Sequence, residues 1–472
     1  VLWERWQRWN QWTLTELPAL NRAIIGKRRP ARDLAVRARA SVLAELPDPE
    51  EYSPQEAQRA LVLLGLLGAS AARHYQEADI ERKARPQESF GGFEVGTRGV
   101  PFRSYFAAVA DASGTGHAGR DCYASIVRWN VPTAQVLVGG RVVAVLPGVF
   151  PDGRIRTYTG DPGEVAFLEL LKTSEALELA ANDELEPIAD GSIGVLSAEA
   201  AARASSATRF LTALATVNQA FAALAPGDGG LGTEHFMDVF RQFAVHWEPG
   251  DIPPSGAQDA QFLRRDLLLG IEFPGYRHHM RRNYPAMLDE ERAFLDRQAA
   301  RPTLTAMLFE ALGLRPAELA TATREQLREL VAEHPNLAAW YALLAANAKV
   351  GGVHLMLTEK YLFKPQRARD VAGVGDAPLV SNRRGTSGME EPLLVRLTRA
   401  RRDHPLRMFA MVPGQELAAL GAAGPGGGGS NGAGGGSNGV SSHGVVTGAV
   451  DGNGDGEGEN PEEVPTVRYV SG

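Results

Sequence analysis

Apolar residues along Leu337–Phe363 (LAAWYALLAANAKVGGVHLMLTEKYLF) recur at helical spacing and predict one long, buried helix. Leu337, Tyr341, Leu344, Ala348, Leu355 and Leu362 follow one ridge, and Trp340, Leu343, Asn347, Gly351, His354, Thr358 and Tyr361 follow the next. Lys349, Glu359 and Lys360 fall elsewhere, so His354 lies inside the apolar stripe. An imidazole there is hydrogen-bonded in the core, kept neutral, or used as a metal ligand. The pair Gly351–Gly352 just before it costs a helix interior roughly 1.5–2 kcal/mol relative to alanine, so it calls for a reason.

The same reading organises the remaining chain. Trp3, Trp6, Trp9 and Trp12 form an aromatic stripe on a first helix within residues 1–30, fit for docking on the protein itself, on a membrane surface or on a partner. Helices are expected over 31–46 and 54–78, with Ser53 and Glu56 as an N-terminal capping box. Residues 87–163 are rich in Gly, Pro and β-branched residues and read as a loop-rich connector, in which VLVGGRVVAVL predicts a β-hairpin about a Gly-Gly turn. Helical periodicity then returns over 164–181, 197–225, 233–246, 259–270, 276–301, 304–314, 317–333, 337–363 and 391–402. Beyond about Leu420 the Gly/Ser/Asn-rich composition predicts disorder, with a terminal PTVRYV prone to extended structure. The expected fold is mainly α: a helical N-terminal domain (1–86), the connector (87–163), a helical bundle carrying the site (164–410), and a tail (420–472).

Composition narrows the function. The chain has 472 residues, 44% hydrophobic and 22% charged, with a net charge of −7. With a pI near 5.9 this gives no footing for nucleic acid or an anionic membrane. The single cysteine, Cys122, excludes an internal disulfide and any Cys-rich metal centre, and fits a cytoplasmic setting. The longest apolar run, 60–72, is too short to span a bilayer.

Candidate chemistry is sparse. Gly114, Gly116 and Gly119 spell GxGxxG without a strand–helix context and read as a loop. His278 and His279 point about 100° apart on a helix and read as solvated residues beside Arg277, Arg281 and Arg282. In HFMDVFRQF, Phe236, Phe240 and Phe243 share a ridge, and Arg241 either reaches solvent or serves as a carboxylate clamp. The loop NRRGTSGM places Gly385 and Gly388 around Thr386 and Ser387, a composition that can close on a polar ligand. Ser255 and Gly256 open a turn into a helix with Phe262 and Asp266.

In order and spacing, these segments resemble the heme-dependent indoleamine 2,3-dioxygenase / tryptophan 2,3-dioxygenase superfamily, over roughly residues 55–405. VHLMLTEKYL is similar to its proximal-histidine helix, FMDVFR to its Phe-x-x-x-x-Arg segment, SGAQDAQFLRRDLLLGI to its small-residue turn and following helix, MRRNYPAMLDEERAFL to its Met-Arg-x-Tyr-Met-Pro segment, and GTSGM to its active-site loop. WNVPTAQ and RTYTGDPGEVAFLELL resemble the branch of monodechloroaminopyrrolnitrin synthase. The resemblance implies heme b bound through iron by His354, with Phe262 and Gly256 against the cofactor. It implies dioxygen as co-substrate and an indole amino acid held by Phe236, Arg241, Ser255, Gly385 and Thr386. The outcome is either oxygen insertion at indole C2–C3 or oxidative ring rearrangement, on tryptophan or a chlorinated relative. A homo-oligomer stays open. Other classes are a heme-binding sensor and a helical interaction protein using the Trp-rich and Gly-rich ends.

The chain also departs from the superfamily pattern. Ser387 and Met389 replace a glycine and a threonine of the loop. The arginine that pairs, three residues before the proximal histidine, with the aspartate of Asp-x-Leu-Leu-Gly is here Gly351, so Asp266 needs another partner. The helix containing Phe167 and Leu170 shows no counterpart of the distal serine.

Overall fold

The structure is a computed structural model that describes residues 2–386, 388–422 and 464–470. Helices dominate it. The first is α1 (Leu2–Ile25), followed by α2 (Arg32–Ser41) and α3 (Pro54–Ala78). Three members of the stripe on α1 dock on the protein itself: Trp9 and Trp12 are buried, and Trp6 stacks on Trp9 with centroids 5.3 Å apart. Helix α3 starts at the expected capping box, with Ser53 and Glu56 each bonding the other's backbone N–H.

The connector holds more regular structure than its texture suggests. After a short antiparallel pair, β1 (Glu94–Val95) and β2 (Val100–Pro101), comes α4 (Phe102–Ala112). Phe102, Tyr105, Phe106 and Val109 give α4 a buried face at helical spacing. The glycines on both sides mask that signal in sequence. Residues 124–128 form a single π-helical turn. The predicted hairpin is present as β3 (Thr133–Val138) and β4 (Arg141–Leu146), and both residues of its turn, Gly139 and Gly140, have positive φ (54° and 74°).

Helices α5 (Pro162–Ala189) and α6 (Ala198–Ala223) follow, then α7 (Ala260–Leu269), α8 (Tyr276–Arg282), α9 (Asp289–Ala300), α10 (Leu304–Leu312), α11 (Pro316–Leu319) and α12 (Arg324–Glu333). The last five occupy stretches expected as three longer helices. Pro285 stands in a 3-10 turn (Tyr284–Ala286) between α8 and α9, and Thr323 opens α12 with its own capping box. Helix α13 (Leu337–Thr358) runs through a π-helical turn, Glu359–Phe363, into α14 (Lys364–Val371). Helices α15 (Glu391–Arg402) and α16 (Gly414–Ala422) complete the bundle. Most of the expected disordered tail lies outside the described residues. Its end is ordered: β5 (Thr466–Val470) pairs antiparallel with β3, giving the sheet order β4-β3-β5.

Among the described residues two large hydrophobic cores and two small clusters result. Of the large cores, one joins α1–α4 to the segment around Cys122–Val131 and to Phe243 and Trp247; the other joins β3, β4 and the helices from α5 onward. Helix α6 packs along both α5 and α13. Tyr469 of β5 touches both cores. Among the described residues no helix is long and apolar enough to cross a membrane.

Candidate functional site

A cavity of about 330 Å³ opens where the two cores meet, walled mainly by aromatic and aliphatic side chains. Every residue that the resemblance assigns to cofactor or substrate lines it: His354, Phe262 and Gly256, and Phe236, Arg241, Ser255, Gly385 and Thr386. These residues come from four separate stretches of chain. Each π-helical turn of the described residues also contributes to the wall, through Ile126 and Val127, Phe236 and Phe240, and Tyr361 to Phe363. Such turns recur at functional sites because the extra residue re-aims side chains out of helical register.

His354 is enclosed by protein, and its remaining accessible surface belongs to the cavity wall. Burial, with Arg401 and Arg265 nearby, pushes its pKa down to about 4, so the ring is neutral at ordinary pH. Nδ1 is sealed from solvent without a hydrogen-bond partner. The ring of Phe262 meets His354 edge-on at 6.0 Å. Phe262 in turn carries two guanidiniums, Arg401 at 4.7 Å and Arg265 at 5.1 Å from its centroid.

Arg401 also answers the question of Asp266. Its Nε and Nη2 donate to the two oxygens of that carboxylate at 3.0 and 2.8 Å, with both side chains fully buried, and Tyr276 OH donates to it as well. A Cβ on Gly351 would stand 3.0 Å from Arg401 Cδ and 3.4 Å from Nη1. The glycine in α13 therefore makes room for an arginine that arrives from α15.

Arg241 does not reach solvent. It is 6% exposed, and its Nη2 donates to the backbone oxygens of Ser381 (2.6 Å) and Arg384 (2.7 Å), while Nε has no partner. Burial lowers its pKa to about 10, with only Asp376 pulling the other way. Among the described residues no carboxylate touches this buried guanidinium, and its Nη1, unlike the sealed Nε, keeps accessible surface without a partner. The loop it holds is closed by Gly385 N–H to Met389 O (2.7 Å) and turned by Gly388 at φ 77°. Ser387 lies outside the described residues.

The Ser255 hydroxyl accepts from Ala257 N–H at 3.3 Å, and a Cβ on Gly256 would meet only Leu171, at 4.0 Å. Phe236 packs edge-on against Phe167 and Tyr361. Phe243, expected on the same ridge, instead stacks on Tyr158 in the first core.

Sequence reasoning missed part of the wall. Glu178 and Asp259 both line the cavity, and burial raises both carboxyl groups, Asp259 well above the usual carboxylate range. Buried Arg265 donates to Glu178 and pulls it the other way. Ser174 and Asn218 also line the cavity, on α5 and α6. Glu178, Ser174 and Asn218 were present in sequence as polar residues within helical stretches, and Asp259 as the N-cap of α7.

Other candidates fall away from the cavity. The Gly114–Gly116 stretch turns the chain after α4, with both glycines at positive φ. His279 is buried, contrary to its expected solvation, and only His278 is exposed. Among the described residues no group of three or more His, Cys, Asp and Glu is placed to hold a metal ion. An axial heme ligand needs no such group: one neutral imidazole at an apolar cavity is the donor set a heme iron requires. His354 fits it. No family model and no curated protein matches the chain. The superfamily resemblance thus rests on its motifs alone.

Proposed function

We propose that the chain is a heme-dependent oxygenase of an indole amino acid, acting either by oxygen insertion across the indole C2–C3 bond or by oxidative rearrangement of the ring. The observation that carries this reading is the pairing, in one largely apolar cavity, of a neutral unbonded imidazole with a buried guanidinium that lacks a carboxylate. Bound through its iron to His354, heme b would supply the dioxygen chemistry. The remaining work belongs to the chain.

Arg241 takes the ligand carboxylate through Nη1, the guanidinium nitrogen that keeps accessible surface, while Nη2 keeps the loop carbonyls in place. Phe236, braced by Phe167 and Tyr361, offers an aromatic edge or face to the indole. Thr386 and Gly385 cover the polar end, and Ser255 with Gly256 leaves the wall low on the other side. Aromatic walls exclude water, so positioning of the ring against the cofactor supplies much of the rate.

Mass spectrometry of products from tryptophan and chlorotryptophans tests the reaction. Ferrous, heme-loaded protein under air should convert at least one of them, with a gain of two oxygens for insertion and a different mass change for rearrangement. Arg241→Ala should weaken binding of the amino acid by about a hundredfold or more while leaving heme bound, because the clamp is a desolvated charge pair. Unchanged affinity would remove the clamp.

A further inference from the structure

One neutral polar pair in the cavity wall is used neither by the iron-ligand end nor by the carboxylate clamp. Along α6, Leu211, Leu214, Asn218 and Phe221 face inward, whereas Thr212, Thr216 and Gln219 are exposed. Asn218 is thus a polar residue on an otherwise apolar ridge, a placement that costs stability unless its amide is matched. Its Nδ2 donates to Ser174 Oγ across the α5–α6 interface (3.2 Å) and to Leu214 O (2.8 Å). Both amide protons are then used. Its Oδ1 has no protein partner and, unlike the sealed orphan atoms of the molecule, keeps accessible surface, on a side chain that lines the cavity.

Two features fix what this oxygen can recognise. The amide is locked by its donated bonds, so the flip that would present a donor instead is blocked. The surroundings are apolar, among them Leu170, Leu214 and Phe221, so a ligand group reaching this wall is stripped of water and gains most from a single matched bond. An indole amino acid held by its carboxylate at Arg241 has one polar atom left on its ring system, the N–H.

We propose that Asn218 Oδ1, held in place by Ser174, accepts the ring N–H of the bound indole amino acid and makes that donor a requirement for tight binding. This rests on the substrate class proposed above. Asn218 is then a specificity residue and Ser174 its positioning residue. A ring analogue without the N–H would leave Oδ1 desolvated and unpaired, which is how hydrogen-bonding sites reject isosteres.

Calorimetric titration of the heme-loaded full chain with L-tryptophan and with its benzothienyl isostere, in which sulfur replaces the N–H, tests this directly. The wild type should bind tryptophan about tenfold more tightly than the isostere. Asn218→Leu should erase the preference by weakening tryptophan alone, and Ser174→Ala should narrow it. Equal affinities of the wild type for both ligands overturn the inference whether or not either variant folds, and leave the indole reading standing. Failure of the heme-loaded chain to bind tryptophan at all overturns the indole reading and this inference with it.

Discussion

Gly351 and Arg401 form a pair that neither position announces alone. Arg401 passes close over Gly351 on its way to Asp266, where a Cβ would stand 3.0 Å from its Cδ. In an ordinary helix interior, Gly→Ala stabilises by about 1 kcal/mol. Here Gly351→Ala should destabilise by about 1–3 kcal/mol through overpacking against the arginine, as measured by urea unfolding. A stabilised variant would show that the space is not needed. Arg401→Leu should cost about 3–5 kcal/mol, since it leaves the Asp266 carboxylate buried without its cation. The buried histidines make a second prediction at this scale. His354 and His117 are pushed down to about 4 and His74 to about 3, all mainly by burial. Because the folded chain resists a proton that the unfolded chain accepts near pH 6.5, this contribution is complete above that value and is lost as pH falls from about 6.5 through 4. NMR titration should find these rings neutral at pH 5.5. A ring titrating in the mid-6 range at His354 would place it in water.

At the scale of elements, the long helix around His354, the capped start of α3, the Gly-Gly hairpin and α15 were legible because each carries a local signature: period, cap or turn. What escaped has a physical reason too. Helix α4 is flanked by glycines that dominate its composition, and the α8–α9 break depends on Pro285 within a stretch of otherwise helical pattern. The π-helical turns leave no mark in sequence, since they arise from a local compromise between helix register and the packing of the cavity wall. Strand β5 shows the limit of composition most clearly. It follows a Gly-rich stretch, yet it adds to the edge of β3, and Tyr469 OH donates to Glu169 O at 2.9 Å on α5. Ending the chain at residue 463 should therefore lower the melting temperature and speed amide exchange in β3 and at the β3 face of α5. Unchanged exchange in β3 would mean that the strand does not hold the sheet edge in solution.

For the whole molecule, the candidate site lies where the two large cores touch; the resemblance grouped its residues, but the packing that brings them together is visible only in the fold. Motif order supplied His354, Arg241 and the glycine-rich loop. Long-range packing supplied Arg401, the Glu178–Asp259 pair and the Ser174–Asn218 pair, which belong to ridges read as ordinary helix faces. Arg241 illustrates the difference: sequence leaves it free to reach solvent, and only the folded chain shows a buried cation without a counter-anion in contact. The central proposal is that His354 would hold the iron of a bound heme. Absorption spectroscopy of the purified chain titrated with hemin, beside His354→Ala, tests it most directly. The account predicts a saturable Soret band for the wild type, its loss in His354→Ala, and its recovery when imidazole is added to that variant. A wild type that takes up no heme, or a variant whose Soret band is unchanged, would contradict it.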